Sequence, residues 1–129
     1  MKPKILMIED NDQNRYLVTF LLERQGFEVV EASDGPMGIE LAAVVLPDLI
    51  LLDIQLPTMD GYAVARALRS NPALDATPIV AVTSYAMAGD REQSIAAGCN
   101  GYIEKPINPD TFVSEVRHYL DEARKDKRQ

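Results

Sequence analysis

Five short apolar segments alternate with longer amphipathic ones, and this alternation restricts the fold of the chain more than any other feature. The segments are Lys4–Ile8, Glu28–Ala32, Leu49–Asp53, Ile79–Thr83 and Gly101–Glu104. Three of them are nearly continuous Ile, Leu and Val, which is typical of strands in a parallel sheet whose two faces are both buried. The second segment alternates apolar and polar residues, which favours a strand at the edge of the sheet.

The stretches between these segments have the apolar spacing of helices. We expect helices at Asp12–Gln25, Gly35–Val45, Gly61–Ser70, Ala86–Ala97 and Asn108–Lys125. In the first, apolar side chains and one arginine recur at intervals of three and four, at Tyr16, Leu17, Phe20, Leu21 and Arg24. Gly26 follows as a C-cap, and Asn108 with Pro109 has the pattern of an N-cap and a first helical residue.

A strand and a helix thus alternate five times, in a (βα)5 pattern. Because crossovers between parallel strands are right-handed, the helices cover both faces of one open sheet. We predict an α/β fold with a doubly wound, five-stranded parallel sheet in the flavodoxin-like order 2-1-3-4-5. The 129 residues correspond to one domain, 1–129, whose charged tail at 121–129 we expect to be a solvated helix end.

Composition excludes several classes of function. The chain has 13 Lys and Arg against 20 Asp and Glu, and its net charge of −7 disfavours binding to nucleic acids or anionic membranes. One cysteine and one histidine exclude an internal disulfide and metal sites rich in thiolate or imidazole. No apolar run reaches the ~18 residues that span a bilayer, and the N-terminus lacks the pattern of a signal peptide. We therefore expect a cytoplasmic protein.

Acidic residues converge at the carboxyl ends of the predicted strands, where open α/β sheets bind ligands. Glu9 and Asp10 follow the first strand, Asp53 ends the third, and Lys105 follows the fifth. Adjacent strands lie ~4.8 Å apart, which brings Asp10 close to Asp53. Three carboxylates repel one another, and one lysine cannot neutralise them. We predict that Mg²⁺ binds Glu9, Asp10, Asp53 and the backbone carbonyl of Gln55.

Four motifs extend this pattern over most of the chain: Ile8–Asn11, Leu51–Pro57 with Met59–Gly61, Val82–Thr83, and Tyr102–Pro106. Their order and spacing resemble the receiver domain of two-component response regulators, from about Lys4 to Leu120. Residues 10–15 and 53–57 are most similar to those of stand-alone, single-domain regulators of the DivK kind.

The resemblance implies a role for each site residue. Asp53 is the nucleophile and phospho-acceptor, and its donor is the phosphohistidine of a sensor histidine kinase or a histidine phosphotransfer protein. Lys105 pairs with Asp53 and then with a phosphoryl oxygen, to which Thr83 also donates. Tyr102 is the switch aromatic, and the Lys105–Pro106 peptide is cis. The domain catalyses its own phosphorylation and dephosphorylation, turns over no external substrate, and signals by docking to a downstream protein, as a monomer or a phosphorylation-dependent dimer.

Residues beside the acceptor bear on phosphoryl lifetime and docking. Gln55 and Tyr85 flank the expected phosphoryl site and predict slow loss of the group to water. The rim of the first helix is a candidate surface for a phosphotransfer partner. The expected output face lies on the side of the fourth and fifth strands and includes residues 85–88 and Tyr102. Its apolar stretch, Ala86–Gly89, is either an exposed patch or packed on the sheet.

Four other functions use a similar fold or site. Phosphatases and dehalogenases with an aspartyl nucleophile place a second acid where Gln55 stands. Flavin or nucleotide carriers need a glycine-rich loop after the first strand, where this chain has Asp10–Asp12. A receiver excised from a hybrid histidine kinase remains open. A phosphorylation-independent pseudo-receiver is the fourth alternative, and the intact set of acidic residues, threonine and lysine argues against it.

Overall fold

Five parallel strands form one sheet in the computed structural model, in which residues 2–57, 59–84 and 89–127 are described. The strands are β1 (Lys4–Ile8), β2 (Glu28–Ala32), β3 (Leu49–Asp53), β4 (Ile79–Thr83) and β5 (Gly101–Glu104). Their order, β2-β1-β3-β4-β5, and their bounds confirm the sequence-based prediction. β2 lies at an edge, as its alternating pattern predicted.

Helices cover both faces of the sheet. They are α1 (Asp12–Arg24), α2 (Gly35–Val45), α3 (Gly61–Arg69), α4 (Asp90–Ala96) and α5 (Phe112–Lys127). Apolar side chains of α1 and α5 pack against one face, and those of α2, α3 and the residues that follow α4, Ala97 and Cys99, pack against the other. None of the helices in the described parts of the chain has the length and apolar character of a membrane span.

The register of the sheet determines which strand ends lie side by side at the candidate site. Ile8, the last residue of β1, pairs with Leu52 of β3, and Asp53 pairs with Val82 of β4. Thr83 in turn pairs with Glu104 of β5. The residues that follow these four strand ends therefore emerge along a single edge of the sheet.

Two helices begin later than the sequence predicted. We expected α4 to include Gly89, but Gly89 is the residue before the helix and has φ of 101°, a left-handed conformation that a right-handed helix cannot contain. Residues 86–88 of that expectation lie outside the described parts of the chain. We expected α5 to begin at Asn108, but the Asn108 side chain accepts a hydrogen bond from the backbone N–H of Asp110 and closes a separate turn. The helix begins at Phe112.

Smaller differences occur at other helix ends. α1, α3 and α4 each end one residue earlier than predicted, with Gln25, Ser70 and Ala97 as their C-caps. The side chains that α1 buries are Val18 and Leu22, whereas Tyr16, part of the spacing that predicted the helix, is 74% exposed. The predicted tail continues α5 as far as residue 127.

Candidate functional site

Three carboxylates meet at the carboxyl edge of the sheet. Glu9 and Asp10 follow β1, Asp53 ends β3, and one carboxylate oxygen of each lies within 4.8 Å of the others. Glu9 and Asp53 are buried, whereas Asp10 is exposed, so the cluster is open to solvent on one side. A set of hard oxygen donors with one open side suits Mg²⁺, which keeps several of its waters.

Lys105 lies between the two buried carboxylates. Its Nζ atom is 3.2 Å from Asp53 Oδ1 and 3.3 Å from Glu9 Oε1. Its backbone N–H donates to the carbonyl of Thr83 at 2.8 Å, and the Lys105–Pro106 peptide is cis, as the family resemblance implied. One ammonium thus faces both buried carboxyl groups.

Burial and repulsion act together on Glu9. Burial raises the pKa of Glu9 to about 7, and the hydrogen bond and the charge of Asp53 act in the same direction. The backbone N–H of Asn11, which donates to Glu9 Oε2 at 3.2 Å, and the charge of Lys105 lower the pKa in part. Glu9 is therefore poised to gain or lose a proton near neutral pH.

Arg15 of α1 fixes the segment that carries Glu9, and sequence reasoning missed it. Its Nη1 donates to the carbonyl of Glu9 at 2.8 Å, its Nη2 contacts Asp12, and its Nε lies 3.4 Å from Glu31 on β2. This arginine ties the β1–α1 loop to the edge strand. A basic residue one turn into α1 was visible in the sequence, but its partner across the sheet was not.

Gln55 connects Asp53 to the neighbouring loop. Its backbone N–H donates to Asp53 Oδ1 at 2.9 Å. Its side-chain Oε1 accepts hydrogen bonds from the backbone N–H of Ser84 at 3.2 Å and from the Ser84 hydroxyl at 2.9 Å. The Gln55 amide is thereby tied to the residue after Thr83. Tyr85, the other residue predicted to affect phosphoryl lifetime, lies outside the described residues.

A glycine allows the loop after Asp53 to fold tightly. A Cβ atom on Gly61 would lie 2.4 Å from the Cα of Ile54, and the Gly61 N–H donates to the carbonyl of Ile54 at 3.2 Å. The close approach of the two segments at this position leaves no room for a side chain. It places the start of α3 directly against the end of β3.

Thr83 and Tyr102 are both directed toward Asp90, which the sequence did not single out. The buried Thr83 hydroxyl and the Tyr102 hydroxyl each lie 3.4 Å from Asp90 Oδ2. The hydroxyl of Tyr62 donates to Asp90 Oδ1. Asp90 stands seven residues beyond the end of β4, and no motif at that spacing indicates a contact with three hydroxyl groups.

The sequence matches the family described as the response regulator receiver domain over residues 5–117. The chain belongs to this family. A curated receiver-family relative, the polar-differentiation response regulator DivK of Brucella anthropi, is 38% identical over 123 residues, which are 95% of this chain and 100% of that protein.

Two solved receiver structures share the fold. A CheY-like receiver domain protein from Methanospirillum hungatei has a TM-score of 0.90 at 28% identity, covering 98% of this chain and 99% of that one. The receiver domain of a sensor histidine kinase from Pseudomonas aeruginosa has a TM-score of 0.85 at 31% identity, with coverage of 94% and 99%. That second structure contains a magnesium ion coordinated in its active site cleft.

The receiver residues predicted from sequence fall into two groups in space. Glu9, Asp10, Asp53 and Lys105 form one cluster at the carboxyl edge. Thr83 connects to a second group around the start of α4. The two groups adjoin through the Gln55 side chain, which contacts Ser84, and through the Lys105 backbone, which contacts Thr83.

Proposed function

We propose that this receiver is a cytoplasmic, stand-alone response regulator, which accepts a phosphoryl group on Asp53 and signals by docking to other proteins. The position of Asp53 carries the proposal. Its carboxylate lies at the carboxyl end of β3, beside two further carboxylates and 3.2 Å from the ammonium of Lys105. An aspartate in this setting is a nucleophile in a site that can balance the charge of a phosphoryl group.

The proposed donor is a phosphohistidine on a sensor histidine kinase or a histidine phosphotransfer protein. One oxygen of Asp53 bonds to phosphorus as the P–N bond breaks, and the electron pair of that bond stays on the departing imidazole. The product is an aspartyl phosphate. A net charge of −7 favours a protein partner over nucleic acid at the docking surface.

The acidic cluster supports a role for Mg²⁺ in this reaction. Glu9, Asp10, Asp53 and the backbone carbonyl of Gln55 would hold the ion. When bound, Mg²⁺ offsets charge on the transferring phosphoryl group. The exposed side chain of Asp10 leaves one side of the cluster accessible to the ion.

Lys105 and Thr83 would respond to the new charge on Asp53. Asp53 is only 3% exposed, and the Lys105 ammonium lies against its Oδ1. Phosphorylation would move this ammonium from the carboxylate to a phosphoryl oxygen, an exchange that suits a compact, flexible cation better than a planar guanidinium. The Thr83 hydroxyl would donate to another phosphoryl oxygen, and Tyr102 would change its packing as Thr83 moves.

The contacts of Gln55 support a long-lived phosphoryl group. Its side-chain oxygen accepts two hydrogen bonds from Ser84, so this oxygen is engaged within the protein. A residue held in this way is poorly placed to orient an attacking water. We therefore propose slow autodephosphorylation, with a half-life well above seconds in Mg²⁺ buffer.

The test is an intact-mass measurement after incubation with acetyl phosphate and Mg²⁺. The wild type should gain one phosphoryl group, and the Asp53→Asn variant should gain none. EDTA should prevent labelling of the wild type. If the wild type gains no mass and no histidine kinase transfers phosphate to it, the chain is instead a binding module that works without phosphorylation.

One alternative shares the same chemistry. The similarity to the receiver domain of a Pseudomonas aeruginosa sensor histidine kinase favours a receiver that works as part of a hybrid kinase. Asp53 would then receive its phosphoryl group from a histidine of the same polypeptide. The 38% identity to DivK over the full length of that protein supports the stand-alone function.

A further inference from the structure

The carboxylate of Asp90 gathers hydroxyl groups from three elements. Tyr62 of α3 donates to its Oδ1, while Thr83 of β4 and Tyr102 of β5 each lie 3.4 Å from its Oδ2. The backbone carbonyl of Asp90 also accepts from the buried Ser94 hydroxyl at 3.0 Å. Asp90 thus joins the start of α4 to both strands that carry the proposed switch residues.

The Thr83 hydroxyl can donate to only one acceptor at a time. A threonine hydroxyl carries one proton, and an ionised carboxylate only accepts. Thr83 can therefore donate to Asp90 or to a phosphoryl oxygen on Asp53, but not to both. Donation to a phosphoryl oxygen would end its donation to Asp90.

We propose that Asp90 is a positioning residue that favours the unphosphorylated state by competing with the phosphoryl group for the Thr83 proton. This inference rests on the proposed function of Asp53. Tyr62 keeps the Asp90 carboxylate in place through the other oxygen. When Thr83 turns toward Asp53, Asp90 keeps Tyr62, loses one of its two donors on Oδ2, and holds Tyr102 and α4 less firmly.

This competition predicts how the loss of the Asp90 contact shifts the balance between the two states. A contact that is present in one state and lost in the other opposes the change between them. Weakening the Asp90 contact should therefore make the phosphorylated arrangement easier to reach. A residue with only a structural role would give no such gain, because its loss weakens both states.

The experiment measures binding of beryllofluoride, a stable phosphoryl mimic, in Mg²⁺ buffer to the full chain. The Asp90→Asn variant should bind the mimic at least fivefold more tightly than the wild type. Glu92→Gln is the matched control, since it removes one negative charge from the same turn of α4. The glutamine of this variant can still accept from the backbone N–H of Gly89, as Glu92 does at 2.9 Å. The affinity of Glu92→Gln for beryllofluoride should therefore equal that of the wild type.

Two further readouts keep the test decisive. Tyr62→Phe removes one hydroxyl and keeps the ring, and it should raise the affinity by about twofold. NMR signals of the Tyr102 ring in Asp90→Asn, without the mimic, should lie between those of the free and bound wild type. Equal affinities of the wild type, Asp90→Asn and Tyr62→Phe for the mimic would overturn the role of Asp90 and leave the proposed function of Asp53 standing. A wild type that binds neither Mg²⁺ nor the mimic would overturn this role together with the proposed function.

Discussion

Among single residues, Glu9 makes the stability of the receiver depend on pH. Its pKa is raised from the usual 4.5 to about 7, chiefly by burial and then by Asp53. Between these two values the folded chain binds a proton at this site more readily than the unfolded chain does. The stability that this proton contributes is complete below pH 4.5 and is lost as the pH rises through 7.

Glu9→Gln should remove this dependence, because a neutral amide does not titrate. In EDTA, the free energy of unfolding of the wild type should fall, relative to that of the variant, by roughly 2 kcal/mol between pH 5 and pH 8. Urea unfolding at both pH values measures the difference. Glu40→Gln, on the exposed side of α2, is the control and should follow the wild type. If the free energies of unfolding of the wild type and Glu9→Gln change equally with pH, Glu9 is not the source of the pH dependence.

Lys105 tests whether phosphorylation and switching can be separated. Its ammonium contacts Asp53 in the structure, and its backbone contacts the carbonyl of Thr83. Lys105→Ala should still accept phosphate from acetyl phosphate, more slowly, because Asp53 and the other carboxylates remain. The NMR signals of the Tyr102 ring should then change little on phosphorylation. A full change in Tyr102, or normal binding to a downstream partner, would refute this role for Lys105.

Among the secondary-structure elements, the strands and the starts of α1, α2 and α3 could be predicted to the residue, whereas the starts of α4 and α5 could not. Four strands are short, mainly apolar runs, and β2 alternates apolar and polar residues, so each has a pattern that the sequence shows directly. A capping residue signals that a helix is near, but not whether the next residues continue a turn. Asn108 closes its own turn before α5, and Gly89 takes a left-handed conformation before α4.

The loop between β3 and α3 requires a residue without a side chain at Gly61. In Gly61→Ala the added Cβ would lie 2.4 Å from the Cα of Ile54 and 2.9 Å from the carbonyl oxygen of Asp53. We expect a loss of ~1–3 kcal/mol in unfolding free energy and weaker Mg²⁺ binding, since the loop that carries Gln55 must shift. Urea unfolding and Mg²⁺ titration measure the two effects.

Gly26→Ala separates loop geometry from general destabilisation. Gly26 has φ of +90°, with no atom within 4 Å of an added Cβ. Alanine there should cost ~1 kcal/mol through backbone strain and leave Mg²⁺ affinity unchanged. If both alanine variants bind Mg²⁺ like the wild type, the close approach at Gly61 does not shape the site.

For the whole molecule, sheet topology explains which parts of the site the sequence could predict. Parallel strands bring their carboxyl ends to one edge, so the grouping of Glu9, Asp10, Asp53 and Lys105 followed from strand order alone. The contacts of Asp90 with Tyr62 and of Gln55 with Ser84 depend on how helices and loops are oriented over that edge. No spacing in the sequence encodes these orientations.

Mg²⁺ should stabilise the whole fold, because the unfolded chain does not hold the three carboxylates together. At a concentration a hundredfold above its dissociation constant, the ion should add about 2.7 kcal/mol, or roughly 5–10 °C in Tm. A net charge of −7 means that any salt also relieves repulsion, so NaCl at equal ionic strength is the necessary comparison. Asp10→Asn, at an exposed position, should fold normally and lose most of the Mg²⁺ effect. An equal rise in Tm with NaCl, or in Asp10→Asn, would mean that the acidic cluster does not bind the ion.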